Sequence, residues 1–314
     1  MQHKRIHNAE NTYKFTYNIQ IIKKITDMKK IFAALLLVSA ILTTLPSYAQ
    51  NDETLKSKSY KFSSLSGIEA GSVFQITVQK GRSGKVTVYA PAKTLDHVIV
   101  SESGGVLRLR IENGYNVGNG KKRWFSSSKD LEGPIKVAVE MPSLAKIELS
   151  GAATLHSKET FSEKNCEIEL SGASKVRLGK VNANVLDLNM SGASELVLAG
   201  SYDIIKTDLS GATKTFLSSG SAKKVEVEIS GASKLNLSGK AEVANLEVSG
   251  ASHFEGSEFQ AKEAVVEISG AAKAQINVQK RVSGEVSGAS SFTYTGNPDK
   301  VILEKSRGAS VTHK

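Results

Sequence analysis

The side chains best able to do chemistry stand at fixed distances from a recurring glycine. Three residues before it lie Glu148, Glu169, Asn189, Asp208, Glu228, Glu247, Glu267 and Glu285, all but one of them acidic. Carboxylates stacked about 5 Å apart repel by on the order of 0.8 kcal/mol per neighbour even in water. Something must offset that. Three residues after the glycine stand Thr154, Lys175, Glu195, Lys214, Lys234, His253, Lys273 and Ser291, so Lys–Glu pairing between the two columns is expected. A carboxylate ladder lacks the backbone carbonyls and varied ligands of a dedicated calcium site. Weak Ca²⁺ association is the most it predicts, and no cofactor, metal or catalytic residue is assigned. The serine before each glycine has no His–Asp pair ordered around one copy, which makes it a structural hydroxyl. Cys166, six residues before Gly172, shares its slot with Ala145, Leu186, Ile205, Val225, Ala244, Ala264 and Val282. It reads as a small buried hydrophobe. Asp187, Asp203 and Asp208 are scattered, as are His97, His156, His253 and His313. No local group of acids and bases of the kind a hydrolase needs is visible.

The elements that position these columns follow from the repeat. The Ser-Gly-Ala corner recurs with its glycine at 151, 172, 192, 211, 231, 250, 270 and 288, and as Arg307-Gly308-Ala309. The spacings are 21, 20, 19, 20, 19, 20, 18 and 20 residues. Two and four residues before each glycine, and four and six after it, the chain is mostly aliphatic or aromatic. Leu149, Ile168, Val227, Leu235 and Phe292 are examples, and the gap is Gly284. Polar residues stand between them. Such period-2 alternation means strands with one buried face. A unit this short cannot close its own core, but stacked units can. The chain is therefore expected to be all-β: a single-stranded, right-handed parallel β-helix with coils of about 20 residues, the hand following the usual sense of parallel crossovers. A β-propeller would need about 40 residues per blade.

Residues 58–145 read as degenerate coils of the same domain, and 146–314 as regular ones. Alternating strands are predicted at Val73–Val78, Lys85–Ala90, Val98–Ser101, Val106–Ile111 and Ile135–Val139. The longest interruption is 112–133, which carries Lys121-Lys122-Arg123-Trp124-Phe125 in a Gly/Asn/Ser-rich setting. Arg123, Trp124 and Phe125 are the candidate partner-contact residues, since long loops on rigid scaffolds tend to bind and Trp with Arg suits sugar or protein contacts.

Upstream, Met28-Lys29-Lys30, the apolar run Ile31–Leu45 and Ser47-Tyr48-Ala49 have the three parts of a signal peptide, spanning 28–49, with cleavage expected before Gln50. The run has 15 residues, short of the roughly 20 a bilayer span requires. Residues 1–27 read as a misassigned start. Removing 1–49 takes away seven of 41 basic and two of 31 acidic residues, so the net charge falls from +10 to +5 (34 − 29). The remaining charges are interspersed, which argues against a nucleic-acid partner. The mature chain has no second apolar stretch long enough to span a membrane. With one cysteine, no intramolecular disulfide can form, and packing alone must hold the fold.

The corners in copies such as VEVEISGASKLNLSG (225–239) and ANLEVSGASHF (244–254), with the opening FSSLSGIEAGSVFQITVQKG (62–81), resemble the "putative auto-transporter adhesin, head GIN domain" family over roughly 60–300. The resemblance implies an exported Gram-negative protein with a right-handed β-helix and an adhesin role. The functional expectation is a non-enzymatic binding or envelope structural module, periplasmic or at the cell surface, whose partner is an envelope protein or a glycan. The alternatives are a carbohydrate-active enzyme of the polysaccharide lyase or hydrolase kind, and a structural rod that assembles end to end.

Overall fold

The computed structural model describes residues 55–117, 129–131 and 133–314. It is nearly all strand, arranged as a β-solenoid of about eight turns, and residues 54–314 form one compact unit. The signal-peptide expectation, the 1–27 extension and Arg123, Trp124 and Phe125 lie outside the described residues.

The first part of the chain contains β1 (Lys56–Lys61), β2 (Gly67–Ala70), β3 (Phe74–Lys80), β4 (Lys85–Ala90) and a single helical turn, α1 (Ala92–Leu95). It continues with β5 (Val98–Ser103), β6 (Val106–Ile111), β7 (Tyr115–Val117), β8 (Lys129–Leu131) and β9 (Ile135–Met141). The regular part holds β10 (Lys146–Leu149), β11 (Thr154–Leu170), β12 (Lys175–Met190), β13 (Glu195–Gly200), β14 (Tyr202–Leu209) and β15 (Lys214–Ile229). It closes with β16 (Lys234–Val248), β17 (His253–Ile268), β18 (Lys273–Val286), β19 (Ser291–Thr295), β20 (Lys300–Lys305) and β21 (Ser310–His313).

All pairings in the regular part are parallel, and each coil supplies three segments to the stack. In the β11–β12 pair these are Thr154–Ser157 on Lys175–Leu178, Thr160–Glu163 on Lys180–Ala183, and Asn165–Leu170 on Val185–Met190. We call them the second, third and first faces, the first being the one that runs into the glycine corner. The aliphatic slots point inward as their alternation requires: Ile168, Leu188 and Val266 on the first face and Val176, Leu235 and Phe292 on the second are fully buried.

The corner explains the glycine. Each corner glycine from Gly151 to Gly288 has φ between +67° and +74°, a region that costs L-residues with a Cβ roughly 1–2 kcal/mol. The corners also stack. The N–H of Ala173 donates to the Gly151 carbonyl, that of Ala193 to Gly172 and that of Ala232 to Gly211. A hydroxyl ladder lies just inside, where Ser174, Ser194, Thr213, Ser233, Ser252 and Ser290 are buried. The serine before the glycine bonds the backbone of the neighbouring coil where it bonds at all: Ser210 and Ser249 donate to the Met190 and Ile229 carbonyls, each at 3.4 Å.

Residues 58–145 are coils only in part. β2 and β3 form a rung beneath β10 and β11, and β6 and β9 form the next rung beneath them, all parallel. β5 runs antiparallel to β6, β4 antiparallel to β9, and β1 antiparallel to β4. The expected strands are present, but three strands of this region fold back instead of coiling. The cause is local. Gly104 and Gly105 both have positive φ, +62° and +81°, the requirement of a tight two-residue hairpin, and that turn sends β6 back along β5.

Candidate functional site

The first face gathers the acidic column into one line. Register pairs Glu148 with Glu169, Glu169 with Asn189, Asn189 with Asp208, and Asp208 with Glu228. Glu228, Glu247, Glu267, Glu285 and Glu304 follow on successive rungs. Glu69 precedes Glu148. The line therefore runs beyond both ends of the sequence-level column. Glu304 precedes a corner lengthened by one residue, and Glu69 precedes a corner without the Ser-Gly-Ala signature. There Ser72 takes the glycine's place: the Ala152 N–H donates to its carbonyl, and its φ is +59°.

The expected Lys–Glu pairing between columns does not occur among the described residues. The corner turns the Lys175–Lys273 column onto the second face, away from the carboxylates. The second face makes its own pair, Arg177 to Glu195 at 2.9 Å. On the first face, relief comes from the column two residues earlier. Lys146 lies 3.0 Å from Glu167, 3.8 Å from Glu148 and 3.9 Å from Glu169. The Glu167 hydrogen bond raises the Lys146 pKa above its ordinary value. Glu169 is pushed upward by its hydrogen bond with Glu167, by burial and by the Glu148 charge. At the N-terminal limit Arg110 and Arg108 both bond Glu69, Arg108 at 2.8 Å, and hold its carboxyl below the usual range.

Beyond Asn189 the face is less neutralised. Asp187, Asn189, Asp208, Glu226, Glu228 and Glu247 line a shallow depression of about 680 Å³. A smaller one of about 280 Å³ adjoins it at Glu148, Glu169, Asn189 and Asp208. Lys206 sits in the wider one, as does Val265, which is 44% exposed. Among the described residues no group of three or more His, Cys, Asp or Glu is arranged to hold a metal ion. Coulomb attraction over a line of this kind suits an extended cationic or polar partner better than a point ion.

Cys166 is buried, paired in register with Leu186, and burial with the nearby Glu163 and Glu167 charges pushes its thiol up to about 12. His97 bonds Glu112 at 2.7 Å and stacks on Tyr115, with ring centroids 3.8 Å apart. It is thus held at the root of the 112–133 insertion. That insertion joins β6 to β9, whose neighbours β2 and β3 are joined by the Gly71-Ser72 corner. β6 therefore runs towards the corner line, Leu109 lying opposite Ala70, before the insertion begins. Of the aspartates scattered in sequence, Asp187 and Asp208 share the wider depression, whereas Asp203, His156, His253 and His313 do not line it.

The model of the family described as "putative auto-transporter adhesin, head GIN domain" matches residues 64–219 and 216–298. No curated protein matches the chain. Among solved structures, a "putative adhesin" from Parabacteroides distasonis aligns with a TM-score of 0.60 at 18% identity, covering 83% of this chain and 97% of that one. A "putative adhesin" from Parabacteroides merdae aligns at 0.57 and 16%, covering 83% and 96%. A "putative lipid binding protein" from Parabacteroides distasonis aligns at 0.56 and 16%, with the same coverage. These likenesses are of fold alone. Among the described residues no helix is long and apolar enough to cross a membrane.

Proposed function

Since this chain belongs to the "putative auto-transporter adhesin, head GIN domain" family, we propose that it is an exported, non-enzymatic binding module of the Gram-negative envelope. It holds an envelope protein or glycan along its outer faces and the 112–133 segment. One observation carries the reading: outward side chains repeat in register on every rung, about 4.8 Å apart, as with Asp208, Glu228 and Glu247. A repeating array offers many weak, equivalent contacts along a line. An active site requires one rung to differ from its neighbours.

The test is capture by the immobilised full chain from envelope fractions and from a glycan panel, with polysaccharide turnover measured in parallel. Retention of a discrete partner, reduced when Glu228 and Glu247 are both replaced by Gln, is the expected result. Turnover of any polysaccharide, or no retention in either format, would overturn the reading.

A further inference from the structure

The two ends of the solenoid differ. At the N-terminal end the outermost strand on one side is β1, antiparallel on β4, and it carries Lys56, Lys58 and Lys61. Lysine on an edge strand discourages further pairing. The C-terminal edge strand β20 also carries lysines, Lys300 and Lys305, but the same segment holds an acidic counterpart for each, Glu304 and Asp299. β20 pairs with β18 and β21 with β19, and among the described residues nothing pairs with their other edges. Val301 and Ile302 are 46% and 42% exposed there. Val301 continues the fully buried slot of Val282, so the core itself reaches the surface.

The backbone of β20 is set for another strand. The Ser306 N–H donates to the Val286 carbonyl. Since a strand's N–H and C=O groups alternate sides, those of Val301 and Leu303 point away from β18. The side chains of Asp299-Lys300-Val301-Ile302-Leu303-Glu304-Lys305 then form a charge palindrome. Laid antiparallel on itself about Ile302, the strand sets Lys300 against Glu304 and Asp299 against Lys305. Val301 meets Leu303, the two residues whose backbone groups are free to bond. Ile302 meets its own copy on the axis, in the closer, non-hydrogen-bonded kind of pair. Moving the register by one residue sets Lys300 against Lys305.

We propose that the C-terminal rung is a homodimer interface, in which β20 pairs antiparallel with β20 of a second copy about a two-fold axis through Ile302. Such an isologous contact closes on itself and stops at two copies. Head-to-tail growth would instead set β20 against β5, the outermost strand of its own face, and bring Lys314, next to β21, towards the lysines of β1.

The experiment is analytical ultracentrifugation of the full chain, with circular dichroism confirming the fold of every variant. A concentration-dependent dimer is expected. Lys300→Glu and Glu304→Lys each set like charges opposite one another at both symmetry-related positions. Each should weaken dimerisation roughly tenfold or more. The double exchange Lys300→Glu/Glu304→Lys restores both pairs and should recover the dimer. Ile302→Cys should form an intermolecular disulfide on oxidation, an assignment free of ambiguity because Cys166 is buried. A monomer at all concentrations, open-ended oligomers, or a dimer indifferent to the single exchanges would each overturn the proposal.

Discussion

Gly231 stands directly on Gly211, so close that a Cβ on Gly231 would lie 2.5 Å from the Gly211 carbonyl oxygen. The same oxygen accepts the Ala232 N–H at 2.7 Å. The corner stack thus requires glycine twice, for its φ of +71° and for the space between rungs. Gly231→Ala is expected to cost about 2–3 kcal/mol, read as a lower urea midpoint.

Ser72 is the exception that this stack permits. It is the one non-glycine with positive φ among the described residues, and it begins the corner line. Ser72→Gly should relieve the left-handed strain, less the entropy glycine adds to the unfolded chain, for a net gain of about 0.5 kcal/mol. A lower midpoint in thermal unfolding would contradict this account.

The Glu69–Arg108–Arg110 group gives a pH dependence of known sign. The Arg110 hydrogen bond leads in holding the Glu69 pKa below 4.5, with burial opposing and Arg108 adding to it. A depressed carboxylate contributes stability above its ordinary range and loses it as pH falls through the folded value. Both arginines are well exposed, so Glu69→Gln should cost about 0.5–1 kcal/mol at pH 7. Denaturant titrations at decreasing pH should show that difference closing below pH 4.5. A gap that widened on acidification would refute the assignment.

The Cys166 thiol should resist a water-soluble thiol reagent in the native protein at pH 8 and react fully once unfolded. Its pKa of about 12 and its 1% exposure both require this. Cys166→Ser places a hydroxyl among aliphatic neighbours and should destabilise by about 1–3 kcal/mol. Rapid native labelling would mean that the first face opens at this rung.

Trp124→Ala separates the insertion from the faces as the contact surface. The thermal midpoint is measured alongside, so that a loss of fold is told apart from a loss of contact. If the insertion holds the partner, capture from envelope fractions falls several-fold. Full retention would assign contact to the faces alone.

The rungs could be read from the chain because the signal is repeated. Nine glycines near 20-residue spacing, with aliphatic residues at constant offsets, specify which side chains enter the core and which columns form. Burial of Ile168, Leu188 and Val266, and the Glu228–Glu247 register, follow from that periodicity alone. Glu69 and the N-terminal rungs were less visible, because their corner lacks the signature and their order in space departs from their order in sequence. The β5–β6 hairpin did have a local sign in Gly104-Gly105.

Only the tertiary structure decided which columns can meet. Offsets from a glycine give the inward or outward sense of a side chain, but the angle of a corner is not written in any offset. That angle places the Lys175–Lys273 column on a different face from the glutamates. The carboxylates of the first face find their cations instead in Lys146, Lys224 and Arg110. Lys146 and Glu167 share an offset from their glycines and so fall in one column, but Arg110 follows from no spacing: it lies 41 residues from Glu69 and meets it only because β6 stacks beneath β2.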